Sequence, residues 1–262
     1  MAKVRTLILR AAGTNCDQET AFAFQMAGAK AALVHINQLA SGEEELNDYQ
    51  ILAIPGGFTY GDDIASGKIL ANELKHKLQD DIKRFISKGK LIIGICNGFQ
   101  VLVKAGLLPN LGNRFQIEAT LTVNDSARFE DRWVYLKRED TKCVWTKMLS
   151  KEIIYLPVAH GEGKFIAKDE TILKLLDSEG LVVFRYVDKN GKVGSYPINP
   201  NGSVDNIAGI CDQTGRIFGL MPHPERHIDY TQHPNWTRQR KNKEGDGLAI
   251  FRSGVEYARK ML

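Results

Sequence analysis

The chain has 262 residues, of which 43% are hydrophobic and 25% charged, with a formal net charge of +4. That is length enough for a substantial core and the composition of an ordinary globular protein. The charge is too small to indicate nucleic acid, and no run approaches the roughly 20 apolar residues of a membrane span.

From the N-terminus, short β-rich runs end in turn residues at 4–10 (VRTLILR), 31–36 (AALVHI), 51–57 (ILAIPGG) and 90–95 (KLIIGI). The first holds too short an apolar core for a signal peptide. Between these runs, 17–29 reads as a helix with Asp17 as a possible cap and an end near Gly28. Ile69, Leu70, Leu74, Leu78, Ile82, Phe85 and Ile86 keep helical spacing and predict a helix over about 64–88. Strand–helix alternation implies right-handed crossovers and a parallel sheet covered on both faces. Beyond about residue 110 the texture is β-rich, with runs at 114–123, 132–138, 152–159, 181–187, 206–210 and 216–221. Residues 212–215 (DQTG) suggest a hairpin between the last two. Residues 226–247 form a long polar insertion whose Arg238, Arg240, Lys241 and Lys243 are available to a partner or to solvent. An amphipathic helix closes the chain at 247–262. The expectation is one α/β domain over 1–262, with antiparallel strands added in its second half.

Four cysteines, at 16, 96, 143 and 211, lie far apart without a C-x-x-C pair. They suggest neither a disulfide framework nor a zinc site, and they fit a reducing, cytoplasmic compartment. Only Cys96 has a special setting. Gly94-x-Cys96-x-Gly98 ends a β run and opens a helical one, the cysteine version of the nucleophile elbow. Tiny residues two before and two after allow a sharp turn that lifts a side chain to a helix N-terminus, where the dipole favours negative charge. On spacing alone, an inert core thiol and a presented nucleophile both remain open. Cys16, in GTNCD, follows the first strand and is a lining or packing residue of the same sheet edge. Cys143 and Cys211 look structural.

A cysteine nucleophile needs a base, and residues 220–226 (LMPHPER) offer one. Pro222 and Pro224 hold His223 extended, so His223 and Glu225 share a face. Glu225 can then set the imidazole tautomer. A metal cluster of His223, Glu225, His227 and His233 is the less favoured reading, and no metal is expected. For an oxyanion hole, the donors would be the backbone N–H groups of Asn97, after the nucleophile, and Gly57 in PGGF, whose missing side chain lets a ligand approach. Residues 61–68 imitate a P-loop with one residue too many, and Ile69 stands where Ser or Thr is required, so no ATP site is expected.

GICNGFQ, PGGF and MPHPE together resemble the class I glutamine amidotransferases, which implies a flavodoxin-like fold with a mostly parallel central sheet flanked by helices. Seven blocks, GTNCDQE, GGFTYGDD, CNGFQVLVKAGLLP, NDSARFEDRWV, PVAHGEGKF, NPNGS and GLMPHPER, narrow the resemblance to the glutaminase subunits of phosphoribosylformylglycinamidine synthases. The resemblance implies that Cys96 attacks the side-chain amide of L-glutamine, with His223 moving protons and Glu225 orienting it. It assigns Gln100 to the glutamine pocket, with Arg128 and Phe129 at its border. It implies no cofactor in this chain, with ATP and Mg on a large synthetase subunit, and a small bridging subunit as second partner. Residues 160–163 (HGEG) are expected on a partner-facing surface. The competing reading is another hydrolase of the same fold, a γ-glutamyl hydrolase or a cysteine peptidase.

Overall fold

The computed structural model describes residues 3–238 and 244–262. Its first half runs β1 (Arg5–Arg10), α1 (Asp17–Met26), β2 (Lys30–His35), α2 (Ile36–Ser41), β3 (Ile51–Ile54), α3 (Lys68–Lys77), α4 (Gln79–Ser87), β4 (Leu91–Ile95) and α5 (Asn97–Lys104). The second half runs β5 (Ala119–Thr122), β6 (Glu130–Arg138), β7 (Ile153–His160), β8 (Lys164–Ala167), α6 (Glu170–Ser178), β9 (Val182–Val187), β10 (Ile207–Cys211), β11 (Ile217–Leu220) and α7 (Leu248–Met261).

Nine strands form one sheet in the order β2-β1-β3-β4-β11-β10-β9-β6-β7, and β5 pairs with β8 apart from it. The first five of that order are mutually parallel, and every pairing from β11 to β7 is antiparallel. The expected parallel sheet with antiparallel strands added is therefore present. Every residue of β3 (ILAI) and β4 (LIIGI) is buried, as in a strand covered on both faces, which explains their continuous apolar run. Asp212 to Gly215 closes the β10–β11 hairpin, with Asp212 Oδ1 accepting the backbone N–H of Ile217.

Several local expectations shift. The helix expected over 64–88 is two helices that meet at Leu78, whose φ of −125° lies outside the helical range. It starts only after Gly67, which is left-handed at φ 72° and too close to Val101 for a side chain. Asp17 is not the cap of α1. Cys16 occupies that position, and Asp17 pairs with Arg10 at 2.6 Å. Two short helices escaped the periodicity reading, although α6 carries a side-chain cap, Asp169 Oδ1 accepting from the Ile172 N–H at 2.9 Å. The polar stretch after β11 is not a free loop where it is described. His227 and His233 pack their rings on Trp133 of β6, at 5.1 and 5.6 Å between centroids. Arg240, Lys241 and Lys243 lie outside the described residues.

Candidate active site

The parallel strands end at one edge of the sheet, and the side chains singled out above gather there, as ligand sites do in α/β folds. Cys96 joins β4 to α5 with φ 51° and ψ −106°, a conformation a side chain rarely adopts. The flanking glycines make the turn possible. A Cβ on Gly94 would lie 2.5 Å from the Gly98 carbonyl oxygen, and one on Gly98 only 1.9 Å from that of Ile54. Cys96 is 5% exposed, and its Sγ lies 3.6 Å from the Ala159 carbonyl oxygen, which accepts from the thiol.

His223 and Glu225 are each 1% exposed. The His223 backbone N–H donates to the Pro157 carbonyl at 2.8 Å, tying the MPHPER turn to β7. Its Nδ1 lies 2.6 Å from Glu225 Oε1, so with the carboxylate as acceptor Nδ1 carries the proton. Nε2 of His223 and Oε2 of Glu225 are buried and have no partner among the described residues. Burial alone would push the imidazole down, but the charges of Glu225 and then Cys96 hold it well above the ordinary histidine range.

Gly56 is where these groups converge. An ideal Cβ there would stand 2.8 Å from His223 Cε1, 3.2 Å from Cys16 Sγ and 3.4 Å from Cys96 Cβ. Gly57, at φ 138°, is crowded as well, since a Cβ there would stand 2.8 Å from Asn15 N and 3.0 Å from the Gly13 carbonyl oxygen. The Gly57 N–H remains interesting for another reason. The Gly56 carbonyl accepts from Cys16 N–H at 3.3 Å, and in a trans peptide the following N–H points the opposite way. Among the described residues neither the Gly57 nor the Asn97 N–H is hydrogen-bonded, and Asn97 is the first residue of α5.

The Asn97 side chain is locked. Its Nδ2 donates to Asp62 Oδ1 at 3.1 Å and to Gln100 Oε1 at 3.0 Å, and its Oδ1 accepts from the Thr59 hydroxyl. Gln100 also donates from Nε2 to the Glu162 carbonyl at 2.6 Å, so it bridges α5 to the turn after β7. Phe129 is 52% exposed and stacks on Phe58 at 6.3 Å, beside Gly57. Arg128 is exposed, with its carbonyl held by Asn124 Nδ2.

The expected partner-facing role of residues 160–163 does not hold for His160 and Gly163, which are buried. His160 lies between Asn124 Oδ1 and Asn201 Nδ2, at 3.2 and 3.5 Å. Burial first, then the charge of His223, push its imidazole down to about 3. Asn201 also reaches Tyr186 and the Gly163 carbonyl. This packed polar layer behind the site was missed, although NPNGS and NDSARF marked two of its asparagines. Cys16 was underrated. Its Sγ accepts from Arg226 Nη2 at 3.1 Å, and Arg226 is held in turn by Glu19. His227 is not beside His223; its Nδ1 lies 2.8 Å from the Tyr155 carbonyl oxygen.

A buried thiol on a helix N-terminus, facing a histidine paired with a glutamate, is an arrangement for acyl transfer from an amide. The model of the CobB/CobQ-like glutamine amidotransferase domain family matches residues 3–258. The chain belongs to this family. It is 52% identical to the phosphoribosylformylglycinamidine synthase subunit PurQ of Dehalococcoides mccartyi, with all of both chains covered. It is 45% identical to the subunit of the same name from Archaeoglobus fulgidus, over 99% of this chain and 98% of that one. Among solved structures, PurLQS from Thermotoga maritima matches with a TM-score of 0.74 and 31% identity, over 98% of this chain and 99% of that one. A further glutamine amidotransferase of Thermotoga maritima, at 16% identity and a TM-score of 0.51 over 91% of this chain and 82% of that one, shares the fold. The glutamine amidotransferase fold and family expected from GICNGFQ, PGGF and MPHPE are thus those of the chain.

Proposed function

We propose that the chain is the glutaminase subunit of a phosphoribosylformylglycinamidine synthase, hydrolysing L-glutamine and passing ammonia to the synthetase that converts formylglycinamide ribonucleotide to formylglycinamidine ribonucleotide in purine biosynthesis. The observation that carries the reading is the convergence of Cys96 and the His223–Glu225 pair at Gly56, in a chain 52% identical to a subunit of that synthase. The seven matching blocks and the full-length relatives speak against a γ-glutamyl hydrolase or a cysteine peptidase.

The chemistry follows from the side chains. The raised proton affinity of His223 fits an imidazolium facing a Cys96 thiolate. The thiolate adds to the amide carbon of glutamine, and the developing oxyanion takes the N–H groups of Gly57 and Asn97. His223 gives its proton to the leaving nitrogen, so ammonia departs and a γ-glutamyl thioester remains. Neutral His223 then takes a proton from water, hydroxide adds to the thioester, and collapse releases glutamate and regenerates the thiolate. Glu225 keeps the ring oriented throughout. Gln100 positions α5 at the pocket, and Arg128 and Phe129 form its rim. Ammonia freed into neutral water is mostly protonated and no longer nucleophilic, so direct transfer to a docked synthetase is required.

A large synthetase subunit carrying ATP and Mg, with a small bridging subunit, completes the assembly, in keeping with the PurLQS likeness. Four free cysteines fit a cytoplasmic setting. The test is to assay the chain with glutamine alone and with the synthetase, formylglycinamide ribonucleotide and ATP. Weak hydrolysis alone and strong coupled synthesis are expected. Efficient peptide cleavage by the isolated chain would overturn the reading.

A further inference from the structure

Cys16 has no part in the reaction just described, yet it sits against the base. Cys16 Sγ, a His223 ring nitrogen and a Glu225 carboxylate oxygen all lie within 4.8 Å of one another, and all three residues are buried. Glu225 Oε2 is buried without a partner among the described residues, and the ring nitrogen beside the carboxylate is Nδ1, 2.6 Å from Oε1. We propose that Cys16, His223 and Glu225 form an inhibitory site for a thiophilic divalent cation such as zinc.

The donor set is sulfur, imidazole nitrogen and carboxylate oxygen, the ligands that zinc prefers, with a fourth position left for water. Zinc bonds of about 2.0–2.3 Å set tetrahedral ligand atoms about 3.5 Å apart. A cluster within 4.8 Å is near that spacing, and the Nδ1–Oε1 contact opens from 2.6 Å as the ion takes the place of the shared proton. Ligation requires the Cys16 thiolate and a free lone pair on His223 Nδ1, so the thiol proton and the Nδ1 proton both leave to solvent as the ion binds. Arg226 Nη2, 3.1 Å from Cys16 Sγ, favours that thiolate, and Glu19 holds the guanidinium in place. An ion on His223 and Glu225 removes the proton shuttle. That loss of rate rests on the catalytic reading of His223; the binding itself rests on the cluster alone.

Any cysteine hydrolase offers zinc its nucleophile and base, and this site differs in using Cys16 instead of Cys96. The discriminating experiment titrates buffered zinc into the full chain, as wild type, Cys96→Ala and Cys16→Ser, by calorimetry against a competing chelator. Cys96→Ala should bind within about twofold of wild type, and Cys16→Ser at least about tenfold more weakly, a difference of about 1.4 kcal/mol. Cadmium should give a thiolate charge-transfer band in Cys96→Ala that disappears when Cys16→Ser is added. Thermal melts establish that each variant is folded, and the cadmium band of the Cys96→Ala protein reads the site should Cys16→Ser fold poorly. Unchanged binding in Cys16→Ser, loss of binding in Cys96→Ala, or no cadmium band in Cys96→Ala would overturn the proposal. A chain without glutaminase activity that kept this binding pattern would sink the functional reading and leave the ion site standing.

Discussion

Nδ1 of His223 and Oε1 of Glu225, one proline apart in sequence, are joined at 2.6 Å with both side chains buried. The carboxylate fixes the ring and, against burial, supplies the larger of the two charges, its own and that of Cys96, that raise the proton affinity of His223. Glu225→Gln keeps the shape and removes the charge. We expect kcat to fall about 10²–10⁴-fold, as for other orienting carboxylates. The pH profile adds a readout that misfolding does not mimic. With the charge gone, burial lowers the imidazole, so the alkaline limb of kcat/KM should move to lower pH. An unmoved limb would show that Glu225 does not set the titration of His223.

Cys96→Ala should abolish glutamine-dependent synthesis while the assembled enzyme still uses added ammonia. The Ala159 carbonyl near Sγ loses only a weak partner, at 3.6 Å, so the fold should persist. The check is to run the two assays side by side on the same complex. Residual glutamine-dependent synthesis above about a thousandth of wild type would exclude Cys96 as the nucleophile.

Much of this edge was legible because its constraints are local. Pro222 and Pro224 dictate an extended backbone, and an extended backbone puts His223 and Glu225 on one face. Gly94 and Gly98 mark the turn because no other residue fits there. The rest depends on contacts far apart in sequence. Cys16 meets Arg226 across 210 positions, and His160 meets Asn201 across 41, neither of which a local pattern encodes. Leu78 ended a helix whose apolar spacing ran straight through it, because the buried stripe of Leu74, Leu78 and Ile82 continues across the break. His160 read as surface since HGEG looks like a polar turn, yet Asn124 and Asn201 satisfy it inside the protein.

Gly98→Ala places a methyl 1.9 Å from the Ile54 carbonyl oxygen, which is strand backbone and cannot swing aside. Either α5 moves away from β3 or the strand distorts. A loss of about 3 kcal/mol or more is expected, at the upper end of overpacking effects, with activity lost as Cys96 shifts. Gly112→Ala serves as the control, since its nearest neighbour, Nε of the Arg114 side chain, is 3.7 Å away, an ordinary contact, leaving only the cost of φ 64°. Urea midpoints for the two variants measure the difference. Equal midpoints would show that the elbow tolerates a side chain at residue 98.

His160 gives the chain an acid weakness whose sign can be worked out. In the folded state its imidazole is pushed down to about 3, by burial first and then by the charge of His223. In the unfolded chain it titrates near 6.5. Between these values the unfolded state binds a proton that the folded state refuses. Stability therefore falls as pH drops from about 6.5 to about 3, by about 1.4 kcal/mol per pH unit from this group. His223 works in the opposite direction. Its raised folded value contributes stability that is complete below about 6.5 and is lost as pH rises through that folded value, so it is silent in the acid window. His160→Gln keeps a polar side chain between Asn124 and Asn201 and removes the titration. The variant should be less stable than wild type at pH 7, yet its stability should decline less steeply toward pH 4, so the two curves converge. Urea midpoints at half-unit steps across that range measure the convergence. Parallel curves would mean that His160 takes up its proton in the folded protein as readily as in the unfolded one.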